Sequence, residues 1–254
     1  TFSLKDNTIP LLTTKKLAWK ICFRELMWFI RGNTDNKILK EKNVKIWNEN
    51  GSKEFLESRG LNYEEDDLGP IYGHQWRHFN AEYKDCKADY SGKGIDQLEN
   101  LIKMLKDPYQ HNSRRMIISA WNPCQIDEMA LPPCHLLMQF HVRNNKFLSC
   151  CLYQRSGDVG LGVPFNIASY SFLTHLLAFH CDLKPDKFVH FIGDCHIYND
   201  HIDKLKEQIK REPLSFPKFI FKNKREKIED YTEDDIEWLC EYKYLPEIKM
   251  KMIA

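Results

Sequence analysis

Apolar residues recur along this chain with two periods, one near the helical 3.6 and one of 2, and the alternation between them marks out the elements. The chain opens with an apolar–polar–apolar step in Phe2-Ser3-Leu4, as inside a strand. Leu17, Ile21, Leu26 and Phe29 predict a helix over residues 16–31, ended by Gly32. Leu98, Leu101, Ile102 and Leu105 fall at i, i+3, i+4 and i+7, a second helix closed by Pro108. Residues 116–121 read as a strand, and 135–142 and 146–154 as two more joined by a turn at Asn144-Asn145. Ile167, Tyr170, Leu173, Leu176, Leu177 and Phe179 predict a mostly buried helix over 166–181. A strand over 187–197 and a helix from 199 to about 211 follow. Residues 50–70 are polar and rich in turn formers, and read as a surface excursion. No repeat, low-complexity tract or linker breaks the series, so one domain of mixed helix and sheet over 1–254 is expected.

Composition narrows the function. With 43% hydrophobic residues the chain can build a core, and 37 basic against 36 acidic side chains leave a net charge of +1. That balance gives no global attraction to nucleic acid or anionic membrane, so any anion site must be local. No apolar run approaches the roughly 18 residues of a spanning helix, and the first residues lack the apolar core of a secretory signal. The nine cysteines are an odd number, scattered and without a Cys-x-x-Cys pair. They predict reduced thiols in a cytoplasmic protein and no metal site. With no initiator methionine and alternation from the start, the chain is expected to be a trimmed piece of something longer.

Several segments carry candidate chemistry, each beside a plainer alternative. In Leu131-Pro132-Pro133-Cys134-His135, two prolines fix the backbone ahead of a thiol. A rigid approach suits a nucleophile that must be aimed, activated by nearby positive charge; a structural turn is the alternative. The run from Gln154 to Asn166 holds three glycines in six residues straight after a predicted strand. Read as a loop, it would leave backbone amides free and let a ligand approach closely. Arg155 and Ser156 resemble a phosphate clamp, while Asp158 and Asn166 offer an acceptor and a two-way amide for reading a heterocycle; the alternative is a tight turn with a solvated arginine. Arg114-Arg115 is a second local anion site or a solvated pair. His196 and Tyr198, two apart on one face of a strand end, suit sugar hydroxyls or merely cap the sheet. Glu25 sits in an apolar helix, where an unpaired carboxylate has a raised pKa suited to proton transfer; otherwise it faces solvent beside Arg24.

Taken together, these segments resemble the thymidylate synthases. The resemblance rests on Pro10-Leu11-Leu12-Thr13-Thr14-Lys15, Glu25-Leu26-Met27-Trp28-Phe29-Ile30, and Leu68-Gly69-Pro70-Ile71-Tyr72-Gly73-His74-Gln75-Trp76-Arg77. It continues through Ser113-Arg114-Arg115, Ala130-Leu131-Pro132-Pro133-Cys134-His135, Tyr153 to Tyr170, and His196-Ile197-Tyr198. The Trp47…Asn50-Gly51-Ser52 region is similar to the eukaryotic-type enzymes. The resemblance implies an α+β fold, a large mixed sheet covered by helices on one face. The sheets of two subunits would pack back to back in an isologous homodimer.

The activity implied is reductive methylation of dUMP to dTMP, with 5,10-methylenetetrahydrofolate giving the carbon and the hydride and leaving as dihydrofolate. Cys134 would attack uracil C6, Glu25 and Tyr72 would manage protons, and Asp158 and Asn166 complete the catalytic set. The dUMP would be held by Cys134, His135, Gln154, Arg155, Ser156, Gly157, Asp158, Asn166, His196 and Tyr198, with Arg114 and Arg115 reaching in from the partner subunit. Asn166 would read the uracil edge, and His196 and Tyr198 the deoxyribose hydroxyl. Ile46, Trp47, Asn50, Leu131, Asp158, Leu161, Gly162, Phe165 and Ile253 would form the folate wall, closed by the C-terminal tail. Family members carry an Arg-Thr-Gly phosphate loop upstream of the first strand, and this chain starts after it, so the domain is expected to be N-terminally incomplete. Some members lie behind a fused dihydrofolate reductase domain, so the resemblance leaves open both a chain with such an upstream domain and one without. Three rival readings are a pyrimidine hydroxymethylase of the same fold, a silent nucleotide- or RNA-binding homologue, and a thiol hydrolase pairing Cys134 with His135 or His196.

Overall fold

The computed structural model describes residues 1–252. Strand β1 (Phe2–Ser3) leads to the helices α1 (Trp19–Ile30), α2 (Asn36–Glu41), α3 (Lys53–Ser58), α4 (Tyr72–His78) and α5 (Gln97–Lys106). Then come β2 (Ile117–Ser119), β3 (His135–Arg143), β4 (Phe147–Asp158), α6 (Gly162–His180), β5 (Lys184–His196), α7 (Ile202–Gln208), β6 (Phe219–Phe221) and β7 (Ile236–Trp238). Five strands form one mixed sheet in the order β1-β5-β4-β3-β2, and β6 and β7 pair separately. Only β4 and β5 run parallel in the larger sheet, because α6 carries the chain back across its face as a crossover.

The core lies between that sheet and the helices. α6 buries nearly its whole circumference from Ala168 to His180, which is what a helix sandwiched between a sheet and a further helix requires. α1 supplies the outer layer: Phe23 meets the Phe172 ring edge-on at 5.4 Å, and Trp19 lies 6.1 Å from the same ring. On the other side the sheet is exposed or half-buried. There the register aligns Leu137, Tyr153 and Phe191 in one row and Gln139, Cys151 and Val189 in the next, with Ile117 beside Gln139. Ile117, Tyr153 and Phe191 are 41%, 47% and 56% exposed, an apolar patch larger than scattered surface residues produce.

The expected elements are present with shifted ends. The first long helix begins at Trp19 rather than residue 16. The 199–211 helix splits into a tight turn at Asn199–His201 and the short α7. The 50–70 segment is a surface excursion over much of its length, with Lys53, Glu54, Glu57, Ser58, Arg59, Gly60, Asn62, Glu64 and Glu65 exposed, but it contains α3, and Gly51 and the run from Asp66 to Pro70 are buried. The two buried carboxylates at its end are paired inside the fold, Asp66 with Asn36 and Lys40, and Asp67 with the Gly69 and Cys86 amides and the Tyr83 hydroxyl. Gly69 holds a φ of +72°, and a Cβ there would lie 2.2 Å from the Glu128 carbonyl. Asn144 and Asn145 both adopt positive φ at the centre of the turn that the Lys146 amide closes on the Arg143 carbonyl, and three residues join the paired Arg143 and Phe147.

Candidate active site

The glycine-bearing run from Gln154 to Asn166 is not a loop of free amides. β4 continues to Asp158 and α6 begins at Gly162, with Pro164 tolerated in its first turn. Only residues 159–161 connect them, and the Asp158 carboxylate accepts from the Gly160 and Leu161 amides at 2.8 and 3.1 Å. The consequence is positional. The C-terminal ends of the parallel strands lie side by side, with Ser156 opposite Asp194, Gly157 opposite Cys195 and Asp158 opposite His196. The α6 N-terminus rises beside them, the place where open α/β sheets take ligands. His196 ends β5 and Tyr198 lies beyond it, so the two do not share a strand face. Their rings nevertheless meet edge-on at 5.1 Å.

Cys134 precedes β3 and is held on both sides. Its amide donates to the Tyr72 hydroxyl at 2.8 Å, and its carbonyl accepts from the Arg155 amide at 2.8 Å. The Arg155 guanidinium donates from Nε to the Pro133 carbonyl and from Nη2 to the Pro132 carbonyl, both at 2.8 Å, and lies 5.9 Å from the Trp121 ring centre. The Pro-Pro turn thus fixes a cation beside the thiol. Burial pushes the Cys134 thiol above its ordinary range, and Arg155 pulls against that rise.

His135 sits next to Cys134 in sequence but serves other partners. The register slips between His135 and Leu137, and this bulge turns His135 to the helix-covered face while Leu137 stays on the bare one. Its Nδ1 lies 2.6 Å from the Tyr170 hydroxyl, its ring stacks on Tyr72 at 4.2 Å, and burial lowers its pKa to about 3. A neutral ring committed to Tyr170 is a poor base for Cys134.

Glu25 reaches the same cluster from α1 and is 9% exposed. Its Oε1 accepts from the Trp47 indole N–H at 2.8 Å, and burial outweighs that bond and pushes the carboxyl up to about 7. The alternative of a solvated Glu25 is excluded, since Arg24 turns outward to Glu233. Tyr72 is held well above its usual range, chiefly by burial and then by the neighbouring Cys134.

A second chain of contacts runs along the sheet. His190 Nε2 lies 2.8 Å from Gln154 Oε1, and Gln154 Nε2 donates to the Ser156 carbonyl at 2.8 Å and to Asn166 Oδ1 at 2.9 Å. Behind Asp158 stand Lys15, which donates to the Gly160 carbonyl at 2.7 Å, and the buried His201, whose Nδ1 is 3.5 Å from Asp158 and whose Nε2 is 2.7 Å from the Lys251 carbonyl. Gly157 is tight against Val163, whose Cγ2 would be 2.8 Å from an added Cβ.

Among the folate-wall residues, Ile46, Asn50, Leu131, Leu161, Gly162 and Phe165 are half-buried. Trp47 is 5% exposed with its N–H given to Glu25, and Ile253 lies outside the described residues. Arg114 and Arg115 are exposed, just before the edge strand β2, two strands away from Arg155 on β4. Among the described residues neither guanidinium makes an ion pair or hydrogen bond. Reading the sequence assigned no role to Tyr170, which it placed only in a buried helix and at the end of a matching run, and missed His190 and His201, whose isolated side chains follow no motif; the Pro10–Lys15 run was the one signal for Lys15.

A nucleophile-bearing turn braced by arginine, a carboxyl poised near neutrality and an amide chain at the strand ends match one family. The family model for thymidylate synthase covers residues 1–254. The chain belongs to the thymidylate synthase family. It is 54% identical to the thymidylate synthase of Homo sapiens, across 99% of this chain and 79% of that protein. Against thymidylate synthase 1/2 of Encephalitozoon cuniculi the identity is 52%, with 100% and 85% covered. The bifunctional dihydrofolate reductase-thymidylate synthase of Leishmania major is 51% identical across 99% of this chain. The chain spans about half the length of such bifunctional relatives, 48% in that case. Among the described residues no cluster of three or more His, Cys, Asp or Glu suits a metal ion, and no helix is long and apolar enough to cross a membrane.

Proposed function

We propose that this chain converts dUMP to dTMP with 5,10-methylenetetrahydrofolate as co-substrate. The observation that carries the reading is the bracing of Cys134 between the Tyr72 hydroxyl and Arg155, with Ser156 and Asp158 following on the end of β4 and Asn166 in the first turns of α6. Arg155 and Ser156 bind the phosphate. Its Nε and Nη2 bonds orient the guanidinium and leave Nη1 free for that anion. Cys134 loses its proton and bonds to uracil C6, and the displaced π electrons make C5 the nucleophile toward carbon. Glu25, balanced between charged and neutral forms near pH 7, holds and returns protons through the site, and Tyr72 takes part in removing the C5 proton. Asn166 accepts from uracil N3–H and donates to O4, and His196 and Tyr198 bind the deoxyribose hydroxyl.

The first turn of α6 and the 46–50 segment suit a pterin. Half-buried Phe165, Leu161 and Ile46 supply apolar surface, and Asp158 keeps lone pairs beyond the two it gives to backbone amides. The folate supplies the methylene carbon and the hydride. The bare sheet face supports an isologous dimer, its rows of Tyr153 and Phe191 meeting their counterparts about a two-fold axis. The unengaged Arg114 and Arg115 then serve the partner's phosphate site. The bifunctional relatives support, and the monofunctional ones do not require, a dihydrofolate reductase domain in the same polypeptide. Nine free thiols suit a reducing cytoplasm.

Dihydrofolate release from methylenetetrahydrofolate, followed with dUMP and dCMP in parallel, tests the proposal. Turnover is expected with dUMP and is abolished by Cys134→Ser. Turnover that survives this substitution refutes the assignment of the nucleophile.

A further inference from the structure

The orientation of the base-reading amide is decided by a backbone carbonyl. Ser156 O can only accept, so the Gln154 side-chain atom 2.8 Å from it is the amide nitrogen. Gln154 Oε1 is thereby turned to His190, and at 2.8 Å the His190 Nε2 must carry the hydrogen. The other amide hydrogen of Gln154 goes to Asn166, so the atom facing it at 2.9 Å is Oδ1. Nδ2 of Asn166 then points the other way. Gln154 is 2% exposed, so no solvent stands in for a lost partner.

An asparagine that nothing holds turns its amide through half a rotation and offers the opposite order of acceptor and donor. Uracil presents a donor at N3 and an acceptor at O4, and cytosine presents the reverse. A freely turning Asn166 would serve both bases. We infer that His190 is a positioning residue for base discrimination: by donating to Gln154 it pins that amide on the Ser156 carbonyl, and Gln154 pins Asn166. Without the His190 donor, Gln154 Oε1 becomes a buried acceptor with no partner, which weakens the hold on the one orientation in which Nε2 serves Ser156 and Asn166. A loosened Gln154 amide holds Asn166 less firmly in the uracil-reading orientation. His190 packs against Phe188, ring centres 5.3 Å apart, so its ring is held in place on the helix-covered face of β5. The inference rests on the proposed reading that Asn166 faces the pyrimidine.

The test compares wild type, His190→Phe and His190→Gln in the full-length protein. Phenylalanine keeps a ring and removes the donor, and the glutamine amide places an N–H at nearly the reach of Nε2. Dissociation constants for dUMP and dCMP and kcat/KM for dUMP are measured for each. In His190→Phe the ratio of the dCMP to the dUMP dissociation constant is expected to shrink about tenfold, the worth of one buried hydrogen bond. In His190→Gln the ratio returns to within about twofold of wild type. Equal weakening toward both nucleotides in His190→Phe, or a glutamine variant that behaves as the phenylalanine one, overturns the role of His190 and leaves the function standing. A wild-type protein that binds dCMP as well as dUMP overturns the reading of the site and this inference together.

Discussion

Replacing Glu25 by glutamine should make the protein more stable at alkaline pH while disabling it. The carboxyl is 9% exposed and moves from an ordinary 4.5 to about 7 in the folded protein. Between those two values the native state holds a proton that the unfolded chain has already released, so stability falls as pH rises through the window and levels off above it. At about 1.4 kcal/mol per pH unit, the total comes to about 3 kcal/mol. Glutamine has no proton to lose, and its Oε1 keeps the bond from Trp47. The difference between Glu25→Gln and wild type should therefore be small near pH 5 and reach about 3 kcal/mol in favour of the variant by pH 8. All other titrating groups are common to both proteins and cancel in the difference. Urea unfolding at pH 5, 6, 7 and 8 measures it, at one protomer concentration because association shifts apparent stability. Turnover should fall about 10²- to 10⁴-fold in the same variant, the usual cost of removing a positioned acid–base group. A stability difference that does not vary with pH, or a variant less stable than wild type at pH 8, would refute the claim that burial keeps this carboxyl protonated.

Two further substitutions probe the frame around the site. Gly69→Ala forces a Cβ into the Glu128 carbonyl at a left-handed φ and should cost about 3 kcal/mol or more; a melting temperature within a degree or two of wild type contradicts it. Phe191→Asp, on the bare sheet face, is harmless to a lone protomer. In a back-to-back dimer it should yield monomers on gel filtration, with activity lost as the partner's Arg114 and Arg115 leave; a fully active monomer disproves the shared site.

Much of the fold is legible because its elements repeat their pattern over many residues. The 98–105 stripe, the Asn144-Asn145 hairpin and the apolar run of α6 each state their period, and the structure realises them within a few residues. Boundaries move where a local signal is overruled by packing. The polar 50–70 segment runs over the surface but turns inward at its end, where Asp66 and Asp67 find donors from α2, Tyr83 and Cys86 that let them be buried. The glycines near α6 suggested open amides, but Asp158 takes two of them.

The candidate site divides along the same line. By itself the chain determined which groups are present: a thiol behind two prolines, a carboxylate in an apolar helix, an arginine and an amide near the end of a strand. Those are matters of composition and spacing, which are local. What only the tertiary structure decided is how each group behaves. One bulged residue turns His135 away from Cys134 and onto Tyr170. The burial of α1 against α6, with Trp47 closing over it, lifts Glu25 to about 7. The pairing of β4 with β5 brings His190 to Gln154 and through it to Asn166. Protonation and hydrogen-bond direction depend on the dielectric and the partners that surround a side chain, and partners distant in sequence meet only when the sheet has formed.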